Sequence, residues 1–287
     1  MAEAASRPKR RIAAAVRALM RALPGVEEFE SHGSPNFRAR LGAGQSKGQS
    51  KGQSKGKGKV FAVFCVNHHG DGHVALWLNT PPMEQQRLLA SAPRHIFKPQ
   101  YVGPSGWIGV ELNRGFSWKR VVELTHMAYV HSSPALLVAK IPKPPSVPAP
   151  TVRMKPGEID RLQAPQARAA LAKLRALCLA LPEASESTSM GSITWRVGKR
   201  TFASVYDYGK GLTASFWVGI ERQGPLEMDP RFSVPAYLGH NGWIALDLTK
   251  SVRAQELSDL IVESFRHFAT RRALVVLDAT TRTTGVA

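Results

Sequence analysis

Tyr101-Val-Gly-Pro-Ser-Gly-Trp-Ile108 occurs a second time as Tyr237-Leu-Gly-His-Asn-Gly-Trp-Ile244. A shared Tyr-x-Gly-x-x-Gly-Trp-Ile word of this length points to internal duplication. Working outward strengthens it. Val60-Phe-Ala-Val63 matches Thr201-Phe-Ala-Ser204, Phe37 matches Trp195, and Ser31-His-Gly33 matches Ser189-Met-Gly191. Near the start of each copy, Arg17-Ala-Leu-Met-Arg-Ala-Leu-Pro24 matches Arg175-Ala-Leu-Cys-Leu-Ala-Leu-Pro182. The chain of 287 residues therefore reads as two copies of one domain of ordinary size. Copy one takes residues 10–139, a basic Pro-rich linker 140–156, and copy two 160–277.

Each copy has the same succession of patterns. Apolar residues at helical spacing over 12–23 and 165–181 predict an opening helix, stopped by proline in both cases. Strand-like runs follow in copy one at 26–31, 36–41, 60–66 and 73–79. Pro81 and Pro82 open a helix through 90, a strand takes 107–112, and a helix takes 118–131. Copy two repeats the ending as a strand at 242–248 and a helix at 251–268. Between them, Gln223-Gly-Pro-Leu-Glu-Met-Asp-Pro230 reads as a loop. The expected fold is α+β, an antiparallel sheet backed by helices, present twice in tandem.

Between the copies, Lys140-Ile-Pro-Lys-Pro-Pro-Ser-Val-Pro-Ala-Pro150 holds five prolines. That composition predicts an extended polyproline II spacer reaching roughly 34 Å at about 3.1 Å per residue. Copy one also carries an insert at 42–59, where Gly-Gln-Ser-Lys recurs from Gly44, Gly48 and Gly52. From Gly44 to Lys59 it has no apolar residue to bury, and it is expected to form a solvated loop. Copy two joins the same strands through Val197-Gly-Lys-Arg200, a tight turn.

The net charge of +18 is uneven. Residues 1–59 hold +9 and residues 140–156 hold +4, which leaves both domain bodies near neutral. A cationic partner-binding field would thus lie on loops and tails. The sequence has no run of 18 apolar residues, so no membrane span is expected. Arg17 and Arg21 interrupt the first apolar stretch, so no secretion signal is expected and the protein reads as cytoplasmic. Two cysteines, Cys65 and Cys178, are too few for a disulfide framework or a four-cysteine zinc site. Both lie in apolar runs and read as small buried hydrophobes.

The opening Leu-Pro followed by a distant glycine, the strand meander, and the late Tyr-x-Gly-x-x-Gly-Trp-Ile before a closing helix together resemble the MmcQ/YjbR-like family. The resemblance covers about residues 10–139 and 165–275. It implies a CyaY-like fold and DNA binding through a double wing of strands and hairpin loops. The Gly-Gln-Ser-Lys expansion departs from the family pattern by lengthening one hairpin of copy one.

The residues themselves offer several candidate sites. Lys47, Lys51, Lys55, Lys57 and Lys59 suit phosphate contact, each releasing counterions, but no aromatic interrupts them to read bases. The other reading is a neutral expansion of a surface loop. Arg38 and Arg40 flank the insert, and Arg196, Lys199 and Arg200 form a shorter equivalent in copy two. The arm Arg7-Pro-Lys-Arg-Arg11 adds further charge. Tyr101, Gly103, Gly106 and Trp107, with Tyr237, Gly239, Gly242 and Trp243, would stack bases or, as the varied polar residues between them favour, build a turn and a core. Asn67-His-His-Gly-Asp-Gly-His73 contains metal-ligand residue types. Copy two, however, has Asp207-Tyr-Gly-Lys-Gly211 there, without histidine, so a hairpin turn is expected. No nucleophile elbow, zinc-protease motif or Rossmann fingerprint is present. The expectation is a non-enzymatic protein without metal or cofactor that binds DNA independently of sequence. The alternative is a protein- or peptide-binding module using a sheet face or the cleft between copies.

Overall fold

The computed structural model describes residues 10–41, 58–189, 191–207, 211–235 and 237–284. The chain divides into two compact units near Lys155 and Pro156. Each contains a six-stranded antiparallel sheet with helices, so the fold is α+β in tandem. None of the helices among the described residues is long and apolar enough to cross a membrane.

The first unit runs α1 (Ile12–Arg21), β1 (Val26–Ser31), β2 (Ser34–Ala39), β3 (Val60–Val66), β4 (Val74–Asn79), α2 (Glu84–Ser91), β5 (Ile96–Phe97), β6 (Trp107–Glu111), α3 (Trp118–Ser132) and the short α4 (Ala135–Val138). Its sheet order is β1-β2-β3-β4-β6-β5. In α1, Ile12, Ala15, Val16, Leu19 and Met20 are buried, the i, i+3, i+4, i+7, i+8 stripe of a helix lying on a core. From α3, Val121, Leu124, Ala128 and Tyr129 join Phe61, Leu76, Leu78, Ile108 and Val110 of the sheet, all buried. Cys65, Ala75 and Trp77 form a smaller cluster, against which Trp107 and Phe97 pack.

The second unit runs α5 (Pro156–Ile159), α6 (Pro165–Leu179), β7 (Ala184–Ser189), β8 (Ser192–Val197), β9 (Arg200–Asp207), β10 (Leu212–Trp217), α7 (Ile220–Glu227), β11 (Phe232–Ser233), β12 (Trp243–Asp247), α8 (Ala254–Phe268) and α9 (Arg271–Thr284). The sheet order β7-β8-β9-β10-β12-β11 repeats that of the first unit. The duplication extends to side chains. Phe61 meets Tyr129 edge-on at 5.5 Å, and Phe202 meets Phe265 edge-on at 5.2 Å. In the first unit the Tyr129 hydroxyl donates to the Pro24 carbonyl at 2.7 Å, and burial pushes its pKa up to about 12. The second unit places Phe265 there and needs no such partner. Arg17 grips Glu28 at 2.9 Å, and Arg175 grips Glu186 through two hydrogen bonds of 2.7 Å. Each pair ties the opening helix to the first strand of its sheet.

Four expectations change. The 223–230 segment is largely helical, since α7 spans it to Glu227 with Pro225 inside. Strands β5 and β11, two residues each, complete the sheets beside β6 and β12. The copy-two body runs beyond 277, because α9 reaches Thr284. Lastly, residues 140–155 are not a free spacer but belong to the first unit. His126 Nε2 bonds to the Ile141 carbonyl at 2.8 Å, and Trp118 Nε1 donates to the Val147 carbonyl at 2.9 Å. Thr151 N donates to the Arg10 carbonyl. Asn113 both donates to and accepts from the Met154 backbone, at 3.0 and 2.8 Å. Proline keeps this segment extended, while the polar side chains of the first unit satisfy its backbone.

Candidate functional site

The hairpin β2–β3 and its twin β8–β9 carry the candidate cations. Both are bulged at the same place, between Phe37 and Arg38 and between Trp195 and Arg196. A bulge re-aims the next side chain and tightens the local twist, so Arg38 and Arg196 occupy equivalent special positions. Beyond the bulges the two connections differ in length in the sequence. Val197 pairs directly with Arg200 across the two-residue turn Gly198–Lys199, as the sequence suggests. In the first unit the chain leaves after Leu41 and returns at Gly58. Lys47, Lys51, Lys55 and Lys57 lie outside the described residues.

The described cations do not have equal reach. Arg38 and Arg40 both engage Glu27, at 3.2 and 3.3 Å. Arg38 also lies over the Phe29 ring, 4.6 Å from its centroid. Much of its charge is thus already balanced, whereas Lys59 is exposed. Arg196 is half-buried and donates from its Nη2 to the Lys199 carbonyl at 2.5 Å, which braces the turn. Lys199 and Arg200 are exposed. Each hairpin ends beside a histidine of the closing helix. His131 and His267 are both held below their ordinary value by desolvation first, and then by Lys59 and Arg200 respectively. His267 also stacks on Trp217 at 3.5 Å.

The repeated aromatic-glycine word builds a turn. Gly103–Ser105 and Gly239–Asn241 are 3-10 turns, each closed by a left-handed glycine, Gly106 at φ +89° and Gly242 at φ +84°. Gly103 has a different role: a Cβ there would come within 2.6 Å of the Lys98 side chain. Trp243 is buried, whereas Trp107 is half-buried in the second cluster rather than in the main core. Tyr101 and Tyr237 remain 60% and 78% exposed.

A clamp that no local sequence pattern announces secures this turn in both units. Gln85 Nε2 donates to the carbonyls of Gly103 and Trp107 at 2.7 and 2.6 Å. Gln223 Nε2 donates to those of Gly239 and Trp243 at 2.7 and 2.8 Å. Gln223 is buried, so Gln223→Leu would strand two carbonyls at an expected cost of about 2 kcal/mol. Urea unfolding of the variant checks this, and a change below about 0.5 kcal/mol would refute the clamp. A repeated glutamine is the available signal, masked because Gly224-Pro225 reads as a loop.

The histidine-rich stretch does not form a simple two-residue turn. His68–Gly70 is a 3-10 turn, Gly72 N donates to Asn67 Oδ1 at 2.9 Å, and His73 bonds to Glu111. No group of three metal-ligating side chains occurs among the described residues. Cys65 and Cys178 are buried, and burial pushes the Cys178 thiol well up.

Comparison with known proteins bears on the second unit most directly. Residues 179–267 match the family model for YjbR. A crystal structure of the Deinococcus radiodurans protein DR2400, with a DUF419 domain, is similar at 24% identity. The match covers 33% of this chain and 75% of that one, with a TM-score of 0.30. No curated protein matches. The similarity to the YjbR model thus lies within the second unit, over residues 179–267, and the first unit repeats the strand order of the second.

Proposed function

We propose that this protein binds duplex DNA through its phosphates and does not read base sequence. The supporting observation is that the same bulged hairpin is basic in both units. Arg40 and Lys59 stand at the base of the long one, and Lys199 and Arg200 at the tip of the short one. Arg38 and Arg196 serve in this reading as braces, held by Glu27 and by the Lys199 carbonyl. Lys47, Lys51, Lys55 and Lys57 supply the remaining phosphate contacts. Two weak modules on one chain raise the effective concentration of the second once the first has bound.

The test is fluorescence anisotropy of the full chain with a short duplex across a range of salt. A variant lacking residues 44–58 is titrated in parallel. Each phosphate-bound lysine contributes about 0.9 to the slope of log K against log salt, so losing four flattens it by roughly 3–4. An unchanged slope would remove the lysine tract from the interface. Absence of binding even at low salt would overturn the DNA reading and favour a protein partner. Exposed Val234, Tyr237 and Leu238 of the second unit give that second reading its apolar surface.

A further inference from the structure

An open cleft of about 740 Å³ in the first unit is lined by His73, Arg94, His95, Phe97 and Arg114. Its chemistry is cationic. Beneath it, the carboxylate of Glu111 is 1% exposed and already engaged. Glu111 Oε1 accepts from Asn113 N at 2.9 Å, Oε2 bonds to His73 Nδ1 at 2.7 Å, and Arg114 Nε stands 3.9 Å away. That leaves Arg94 exposed at the rim, with no ion pair among the described residues. Arg114 is 55% exposed. The two imidazoles are held in place by aromatic rings. His73 stacks on Phe97 at 4.1 Å, and His95 on Phe116 at 5.1 Å. His95 Nδ1 is buried without a hydrogen-bond partner among the described residues, an unmet polar atom in the cleft wall.

The duplication supplies a control. The backbone at this place is the same in both units: Glu111 N donates to the His95 carbonyl and Asp247 N to the Arg231 carbonyl, both at 2.8 Å. Arg231 thus stands where His95 does, and Asp247 where Glu111 does. Arg231 is spent on Asp229 and Glu256, at 2.6 and 2.7 Å. Asp247 accepts from the amide and hydroxyl of Thr249. Gly211 takes the place of His73. In the second unit the strand ends therefore form without histidines.

We propose that this cleft is a phosphomonoester-binding site. A phosphomonoester dianion presents three terminal oxygens, which two guanidinium forks and imidazole donors match in charge and geometry. Arg94 and Arg114 take the oxygens, His95 lines the shell beside them, and the ester substituent lies against the cleft wall. The site is independent of the basic hairpins.

The test is histidine side-chain NMR and calorimetry on the full chain, using inorganic phosphate and phenyl phosphate. A dinucleotide with and without a 5′-phosphate separates a free ester from a nucleic-acid end. Saturable movement of the His73 and His95 ring signals by phenyl phosphate is expected, with a dissociation constant of about 1 mM or below. The exposed double variant R94Q/R114Q is expected to weaken binding by about 10-fold or more, while the variant lacking residues 44–58 binds unchanged. The 5′-phosphorylated dinucleotide binding more tightly than phenyl phosphate would identify a nucleic-acid end as the source. Equal binding of the two dinucleotides, no saturable shift, or an unaltered affinity in R94Q/R114Q would each overturn the proposal. Read at the His73 and His95 ring signals, none of these outcomes depends on whether the hairpins bind duplex.

Discussion

Trp195→Ala is expected to destabilise the second unit by about 4 kcal/mol. The indole is fully buried in β8 and is among the largest side chains with no exposure. Its removal leaves a cavity too enclosed by sheet and helix to collapse, and cavity and transfer costs add. It also releases Glu186. That carboxylate accepts from Trp195 Nε1 at 3.0 Å and from Arg175, chiefly the latter, which holds it below the ordinary carboxylate range. Trp195→Phe separates the two effects. Phenylalanine is what the first unit uses at the equivalent Phe37, so most of the volume is kept and only about 1 kcal/mol is lost with the hydrogen bond. Urea unfolding by circular dichroism measures both. A cost below about 1 kcal/mol for the alanine variant would mean that β8 does not pack on the core as described.

Gly242→Ala is expected to cost about 3 kcal/mol, against about 1 kcal/mol for Gly106→Ala, although the two glycines occupy one position of the repeated word. Both are left-handed, so both substitutions incur the Cβ–carbonyl clash. The surroundings differ. A Cβ on Gly242 would sit 2.9 Å from the Gly219 Cα and 3.0 Å from its carbonyl carbon. That backbone cannot retreat, because the amides of Val218 and Gly219 both donate to the Gly242 carbonyl, at 2.9 and 3.1 Å. On Gly106 the nearest atom would be the Thr80 carbonyl oxygen at 3.9 Å, an ordinary contact. Thermal unfolding of the two variants in the same buffer decides it. Equal losses would show that conformation alone, and not the approach of Gly219, requires glycine at 242.

The elements set by local pattern were legible in the sequence. The α1 stripe, the apolar run of β3 and the two-residue turn at Gly198 each carry their own signal, and the repeated word aligned the units. What escaped depends on distant partners. Strands β5 and β11 exist because β6 and β12 offer them a free edge, and two residues hold no periodicity. The Gly224-Pro225 pair reads as a break, yet α7 persists because Gln223 is anchored in the turn. Proline content predicts the extended form of 140–155 but not the side chains of Trp118, Asn113 and His126 that bind it. Glu28 and Glu186 each take an arginine of the opening helix. They are structural, and the matching Arg17 and Arg175 at the same offset were the visible clue. Of the candidate cations, the sequence located the hairpins but not the sharing of Glu27 by Arg38 and Arg40. Nor did it join His73 to Glu111, 38 residues away.

The hairpin tip also has an evolutionary consequence. Closing a longer flexible loop costs only about 0.6 kcal/mol for each doubling of its length. Strands β2 and β3 can therefore keep their register while the tract between them gains or loses whole Gly-Gln-Ser-Lys words, and the turn at Gly198–Lys199 shows how short the connection can become. Each word brings one lysine. Replication slippage in such a tract would act as a heritable rheostat, setting the dose of positive charge in single steps while leaving the buried residues of both units untouched.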